Sequence, residues 1–316
     1  LFVSSSNRQP LTANHCRYRG RFAPSPTGHL HFGSLVAAVA SYLDARHAGG
    51  EWLVRIEDLD RPREVPGSAD SILQTLDAFG FEWTGSIVRQ SERDEAYSAA
   101  LEKLRSSGRI YRCSCSRKDI AAQGPLGEES RYPGSCRSGP LLPDAQCAVR
   151  FRVDPGEVAF TDLIQGPVAI DVAADTGDFV LKRRDGLFAY QLAVVVDDAM
   201  QGITHVVRGA DLLTSTPRQL LLQQSLGLRA PTYAHVPLVT DAHGVKLSKS
   251  AGAGAVDIDR PVGELWRTLH VLRQCPPPEL RSNTLDTLWK WAVHHWTTTP
   301  LRGQLQTAVD TSSVDG

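Results

Sequence analysis

Residues 19–56 leave this chain few choices of fold. Residues 19–23 have the composition of a short strand, and Pro24-Ser25-Pro26-Thr27-Gly28 must end it, because this run can continue neither a ladder nor a helix. Ser34 is placed to cap a helix running to about His47, with Leu35, Val36, Val39 and Leu43 on one face and Gly49-Gly50 as its stop. Trp52-Leu53-Val54-Arg55-Ile56 then reads as a buried strand. A strand, a turn, a helix and a second strand in close succession open a doubly wound parallel α/β sheet, where ligands sit at the carboxyl ends of the strands.

Helical periodicity recurs over 70–79 and 94–104. From Cys113 to about Cys147 it gives way to Gly, Pro, Ser and Cys, which predicts an insertion. Short antiparallel strands are expected over 149–153, 168–172 and 178–182, with Arg184-Asp185-Gly186 as a turn. A strand over 203–207 and a helix from Thr216-Pro217 to a stop at Gly227 follow, then two short helices around 262–274 and 284–296. The chain thus divides into a polar tail (1–16), the first half of a catalytic domain (17–110), an insertion (111–185), the second half (186–255) and a short, mainly helical C-terminal region (256–316).

Lys and Arg number 34 against 35 Asp and Glu, so overall charge announces no nucleic-acid partner and any RNA contact must come from a local patch. No apolar run approaches a membrane span, and the first residues lack the long apolar core of a signal peptide. Six cysteines, three of them at 113, 115 and 136, are too few and too clustered for a disulfide framework; they fit a cytoplasmic protein with one metal site.

Three segments carry chemistry. His31-Phe32-Gly33-Ser34 is a turn leading into a helix, which sets backbone N–H groups and the positive helix end against phosphates. Gly33 permits close approach, and His31 can hydrogen-bond a phosphate oxygen. Lys246-Leu247-Ser248-Lys249-Ser250 follows the turn-rich Asp241-Ala242-His243-Gly244 and offers two ammonium groups to a pentacoordinate phosphorus. Taken singly, each has an ordinary explanation, a tight strand–helix connection or a solvated basic loop. Cys113-Ser114-Cys115 and Cys136 supply three thiolates for zinc, which wants four ligands; Tyr132 and Cys147 are both available, and softness and acidity favour the thiol.

The order of these segments, with Arg21-Phe22-Ala23-Pro24-Ser25-Pro26-Thr27-Gly28 before the first and Arg55-Ile56-Glu57-Asp58-Leu59-Asp60 after its helix, resembles the glutamyl branch of the class I aminoacyl-tRNA synthetases from about Arg19 to Ser250. The resemblance implies a Rossmann-like doubly wound sheet with a zinc-bearing insertion and a short helical C-terminal region. The chemistry it implies is attack of the α-carboxylate of L-glutamate on the α-phosphorus of ATP, with Mg²⁺ travelling with the nucleotide. His31, Lys246 and Lys249 would be catalytic, and Gly33, Ser34 and Ser248 would join them at ATP. Arg21, Ser25, Glu57, Tyr190 and Arg208 would hold glutamate, Glu57 facing the ammonium and Arg208 clamping the γ-carboxylate. Without the resemblance, Arg208 would be expected in a surface ion pair with Asp211 and Tyr190 as a packed aromatic. Asp197-Asp198 is read as helix-end residues or groups behind the substrate rather than as a Mg²⁺ site. The resemblance also selects Tyr132 to complete a structural zinc site with Cys113, Cys115 and Cys136.

In full-length glutamyl synthetases a helical anticodon-binding portion follows the lysine loop, whereas this chain runs on from Ser250 only to Gly316. That narrows the resemblance to a short branch that transfers glutamate to the queuosine base in the anticodon loop of tRNA(Asp). Queuosine presents a cyclopentene cis-diol shaped like the terminal ribose diol that ordinary synthetases esterify. The expected protein is a monomer. Rival expectations are a compact enzyme charging the 3′ end of tRNA(Glu), a retired paralogue that only binds tRNA or glutamate, and a cofactor nucleotidyltransferase. Intact His31, Gly33, Lys246 and Lys249 count against retirement, and Ser34 in place of a second histidine counts against the nucleotidyltransferase.

Overall fold

The computed structural model describes residues 17–121, 131–241 and 255–308. The tail over 1–16 and the lysine loop with Lys246, Ser248 and Lys249 lie outside the described residues. Strand β1 (Arg19–Phe22), helix α1 (Phe32–His47) and strand β2 (Glu51–Ile56) form the opening unit, with β1 parallel to β2 and Arg21 opposite Leu53. Helix α1 begins earlier than its expected cap. His31, not Ser34, is the N-cap: its Nδ1 accepts from the Ser34 N–H at 3.2 Å, and its Nε2 lies 3.0 Å from the Ser34 hydroxyl. The imidazole Nδ1 is as many bonds from Cα as an aspartate oxygen, so it fills the same capping role.

Helix α2 (Ser68–Ala78) leads to β3 (Val88–Arg89), parallel to β2, and to helix α3 (Asp94–Ser106). The chain then leaves the parallel layer. β4 (Ile110–Cys113), the short α4 (Arg117–Ala121) and β5 (Ala148–Phe151) come first, then β6 (Glu157–Asp162), β7 (Gly166–Asp171), α5 (Val172–Asp175) and β8 (Val180–Lys182). β5 pairs antiparallel with β4 and β8, and β6 with β7 makes a hairpin. Sequence patterning missed β6. Its packed face is only Val158 and Phe160, both half-buried, between the exposed Glu157, Ala159 and Thr161, a pattern too short to announce a strand.

Helix α6 (Tyr190–Met200), β9 (His205–Gly209), α7 (Thr216–Leu226) and β10 (Thr232–Val236) rebuild the parallel layer, with β9 parallel to β10. β9 lies beside β1, where the Thr204 N–H donates to the Arg19 carbonyl at 2.9 Å and the Arg19 N–H donates to the Thr204 hydroxyl at 2.8 Å. β3, β2, β1, β9 and β10 therefore run side by side in one direction. β9 starts two residues later than predicted, which carries Arg208 to the strand's carboxyl end. β11 (Leu238–Thr240) pairs with β12 (Gln306–Ala308), and helices α8 (Pro261–Val271) and α9 (Leu285–His295) pack on α1. Tyr42, Phe81 and Trp289 meet edge to face at 4.9–5.2 Å, and the Trp289 indole donates to the Phe79 carbonyl at 2.8 Å. The C-terminal helices thus share the main core. No helix among the described residues is long and apolar enough to cross a membrane.

Candidate active site

A cavity of about 920 Å³ opens between the carboxyl ends of β1, β2, β9 and β10 and the start of α1. Arg21, Ser25, His31, Gly33, Ser34, Glu57, Tyr190 and Arg208 all line it, so every described residue expected at ATP or glutamate is brought together. β11 leads out from the wall of this cavity. The described chain resumes at Ala255, bridged to His31, with the Val256 N–H donating to the Leu30 carbonyl at 3.0 Å.

Ion pairs among buried groups form one wall. Arg55 is fully buried and meets Asp198 at 2.8 Å, Glu57 at 3.1 Å and Asp197 at 3.8 Å. Arg21 meets Asp198 at 3.2 Å, while Asp197 also takes Arg93 at 2.5 Å and the Gln90 amide and Tyr97 hydroxyl at 2.8 Å. Asp197 and Asp198, near the end of α6, therefore tie β1, β2 and α3 together behind the cavity. Burial opposes ionisation of Asp198, but Arg21 and Arg55 outweigh it and hold its carboxyl below the usual range. Glu57 goes the other way. Burial pushes its carboxyl up in spite of Arg55 and Arg21, which marks an anion still short of positive charge.

Arg208 is a cation in the opposite condition. It is buried, not in a surface ion pair with Asp211. Nε donates to His235 Nε2 at 3.0 Å, Nη2 to the Thr216 hydroxyl at 2.8 Å and Gln219 at 2.9 Å, and Nη1 to the Tyr190 hydroxyl at 3.3 Å. Burial pushes His235 below its ordinary range against the pull of Asp162, and burial raises Tyr190, so both partners are neutral. No carboxylate among the described residues lies within ion-pair distance of Arg208. A buried guanidinium with only neutral acceptors is a site for an anion. Because Nε and Nη2 are engaged from behind, Nη1 and the Tyr190 hydroxyl are the donors left toward the cavity. That differs from the two-armed fork that an arginine clamp would suggest.

Sequence reasoning missed His235, Asp162, Thr216 and Gln219. Only His235 left a trace, a lone polar ring within the apolar run Tyr233-Ala234-His235-Val236.

A second cluster lies at the end of β4. The sulfurs of Cys113, Cys115 and Cys136 all fall within 4.8 Å of one another, with Cys115 and Cys136 3.5 Å apart. Tetrahedral zinc with bonds of about 2.3 Å would space its sulfurs by about 3.8 Å, so this buried set could hold a metal ion. The Tyr132 hydroxyl lies 3.3 Å from the Cys113 sulfur and 3.7 Å from that of Cys115, and it accepts the Cys136 N–H at 2.9 Å. The Cys147 thiol instead faces the Ala145 carbonyl at 3.3 Å. Burial pushes Cys115 up to about 11, whereas hydrogen bonds led by that of Tyr132 overcome burial and bring Cys136 down to about 6.

Residues 17–265 match the family of tRNA synthetases class I (E and Q), catalytic domain. The crystal structure of glutamate-tRNA synthetase from Elizabethkingia anophelis superposes with a TM-score of 0.77 over 94% of this chain and 68% of its own, at 24% identity. A glutamate tRNA ligase from Elizabethkingia meningosepticum, solved in complex with its amino acid, gives 0.75 over 92% and 66%, also at 24% identity. Fold and family match together define a class I synthetase catalytic domain of the glutamate and glutamine type. Over 283 residues the chain is 58% identical to the Glutamyl-Q tRNA(Asp) synthetase of Dechloromonas aromatica, covering 89% of this chain and 94% of that one. Over 282 residues it is 56% identical to that of Chromobacterium violaceum, covering 88% and 93%. The chain belongs to the glutamyl-Q tRNA(Asp) synthetase family.

Proposed function

We propose that this protein activates L-glutamate with ATP and transfers it to the queuosine base in the anticodon loop of tRNA(Asp). The observation that carries the amino-acid half is the contrast between Arg208, a buried cation with neutral partners, and Glu57, a buried anion short of positive charge, across one cavity. Glutamate supplies a group for each. Its γ-carboxylate meets Arg208 Nη1 and the Tyr190 hydroxyl, and its ammonium meets Glu57, with Arg21 and Ser25 beside it. The free α-carboxylate then points toward the start of α1.

There, His31 and the amides near Gly33 and Ser34 bind phosphate oxygens, Lys246 and Lys249 supply positive charge, and the Ser248 hydroxyl joins them at ATP. Mg²⁺ arrives with the nucleotide. An α-carboxylate oxygen bonds to the α-phosphorus as the bond to pyrophosphate breaks. A queuosine hydroxyl then attacks the carbonyl, and AMP leaves. Holding both reactants in one cavity does most of the work, because in-line transfer depends on position and charge. Cys113, Cys115, Tyr132 and Cys136 would hold a structural zinc ion, tying the end of β4 to Tyr132 and Cys136.

The test is transfer of labelled glutamate, with ATP, onto three tRNAs: tRNA(Asp) carrying queuosine, tRNA(Asp) carrying guanosine at that position, and tRNA(Glu). Label on the first alone is the expected result. Label on tRNA(Glu) would replace this reading with that of a compact translation enzyme.

A further inference from the structure

Asp162, His235 and Arg208 form a chain of hydrogen bonds across three strands. Asp162 ends β6, and its Oδ1 collects the backbone N–H groups of Ile164 at 3.0 Å, Gln165 at 2.9 Å and His235 at 3.1 Å. This leaves Oδ2 for His235 Nδ1, at 2.6 Å. The ring proton therefore sits on Nδ1, and Nε2 is an acceptor, 3.0 Å from Arg208 Nε. Asp162 and His235 are at most 1% exposed, so no water substitutes for either partner. The hairpin that supplies Asp162 is otherwise remote from the chemistry.

We infer that Asp162 and His235 are positioning residues that hold one edge of the Arg208 guanidinium away from the cavity, so that Nη1 and the Tyr190 hydroxyl meet the carboxylate of the amino acid. The inference rests on the reading of Arg208 as the carboxylate clamp. Asp162 fixes the tautomer, and the tautomer fixes the guanidinium. Neither residue touches the substrate, and neither adds negative charge beside Arg208 that would compete with an anion. A carboxylate in the place of His235 would give the guanidinium an ion pair of its own and remove its demand for ligand.

Glutamate-dependent ATP–pyrophosphate exchange by the full chain tests this. In Asp162→Asn the amide oxygen keeps the three backbone N–H groups, so its NH₂ faces Nδ1. The ring proton moves to Nε2 and meets the Arg208 N–H, donor against donor. The KM for glutamate should rise about tenfold to a hundredfold, with kcat and the KM for ATP within about twofold. His235→Ala should do the same, and His235→Gln, whose side-chain oxygen can accept from Nε, should restore most of the affinity. Thermal unfolding reports whether each variant folds, and the Ala and Gln pair carries the test if Asp162→Asn does not. Arg208→Ala is measured alongside. Folded Asp162→Asn and His235→Ala proteins with unchanged glutamate KM, while Arg208→Ala raises it, would overturn the inference. An unchanged KM in Arg208→Ala would overturn the clamp itself, and the positioning role with it.

Discussion

Arg21, Arg55 and Arg208 are one residue type in three electrostatic settings. Arg21 and Arg55 face carboxylates and serve as internal cement, whereas among the described residues Arg208 faces only neutral acceptors. Tyr190→Phe removes one of the two donors left toward the cavity. It should raise the KM for glutamate about threefold to tenfold in pyrophosphate exchange, with kcat and thermal stability nearly unchanged. Glu57 adds a pH signature. Burial raises its carboxyl above the ordinary 4.5, so as pH falls it takes up a proton, and loses its hold on the ammonium, earlier than an exposed glutamate would. The KM for glutamate should therefore climb on the acid side while Glu57 protonates. A profile that stays flat down to pH 4.5 would remove Glu57 from the ammonium site.

At the scale of elements, local chemistry decides where segments stop and long contacts decide where they sit. Gly227 ends α7 with φ of +62°, and among the described residues the only atom near where a Cβ would be is Lys103 Nζ, at 3.9 Å. Gly227→Ala should thus cost about 1 kcal/mol in denaturant unfolding, from backbone strain alone. Gly177 is different. Its φ is +71°, it is bridged to Tyr132, and a Cβ there would collide with the Tyr132 carbonyl oxygen. Gly177→Ala should therefore push Tyr132 off the thiols and lower the zinc content measured on the purified protein, as Cys136→Ser should more completely. Full zinc occupancy in Gly177→Ala would mean that Tyr132 is not needed to hold the ion.

On the scale of the whole molecule, several long-range ties depend on ionised carboxylates. Asp162, Asp178 and Asp198 are all held below the ordinary 3.8, each against the burial that opposes it, by His235, Arg137 and the Arg21–Arg55 pair respectively. Groups with depressed values contribute stability that is complete above the unfolded value and is lost as pH falls through the folded one. His235, held neutral by burial, begins to cost stability below the ordinary 6.5, and the loss of the carboxylate ties, followed as acid unfolding by circular dichroism, should come below about pH 3.8. A transition centred well above that would show that other groups hold the fold. The opening strand–helix–strand unit, the glycine stop of α7 and the two C-terminal helices were legible in order and spacing, because strand and helix periodicity, prolines and glycines act over a few residues. Much of the cavity lining was reached through the resemblance of the motif strings to the glutamyl branch, and those strings lie at the strand ends where a parallel α/β sheet places its ligands. The cap of α1, strand β6 and the Asp162–His235–Arg208 relay were not. His31 and Ser34 both suit a turn, and the apolar face of β6 is only Val158 and Phe160. Whether Arg208 is neutralised depends on groups at 162, 216, 219 and 235, which meet it only after β6, β9, α7 and β10 have packed. Local chemistry set where the chain turns, and packing across distant segments set which charges stay unpaired.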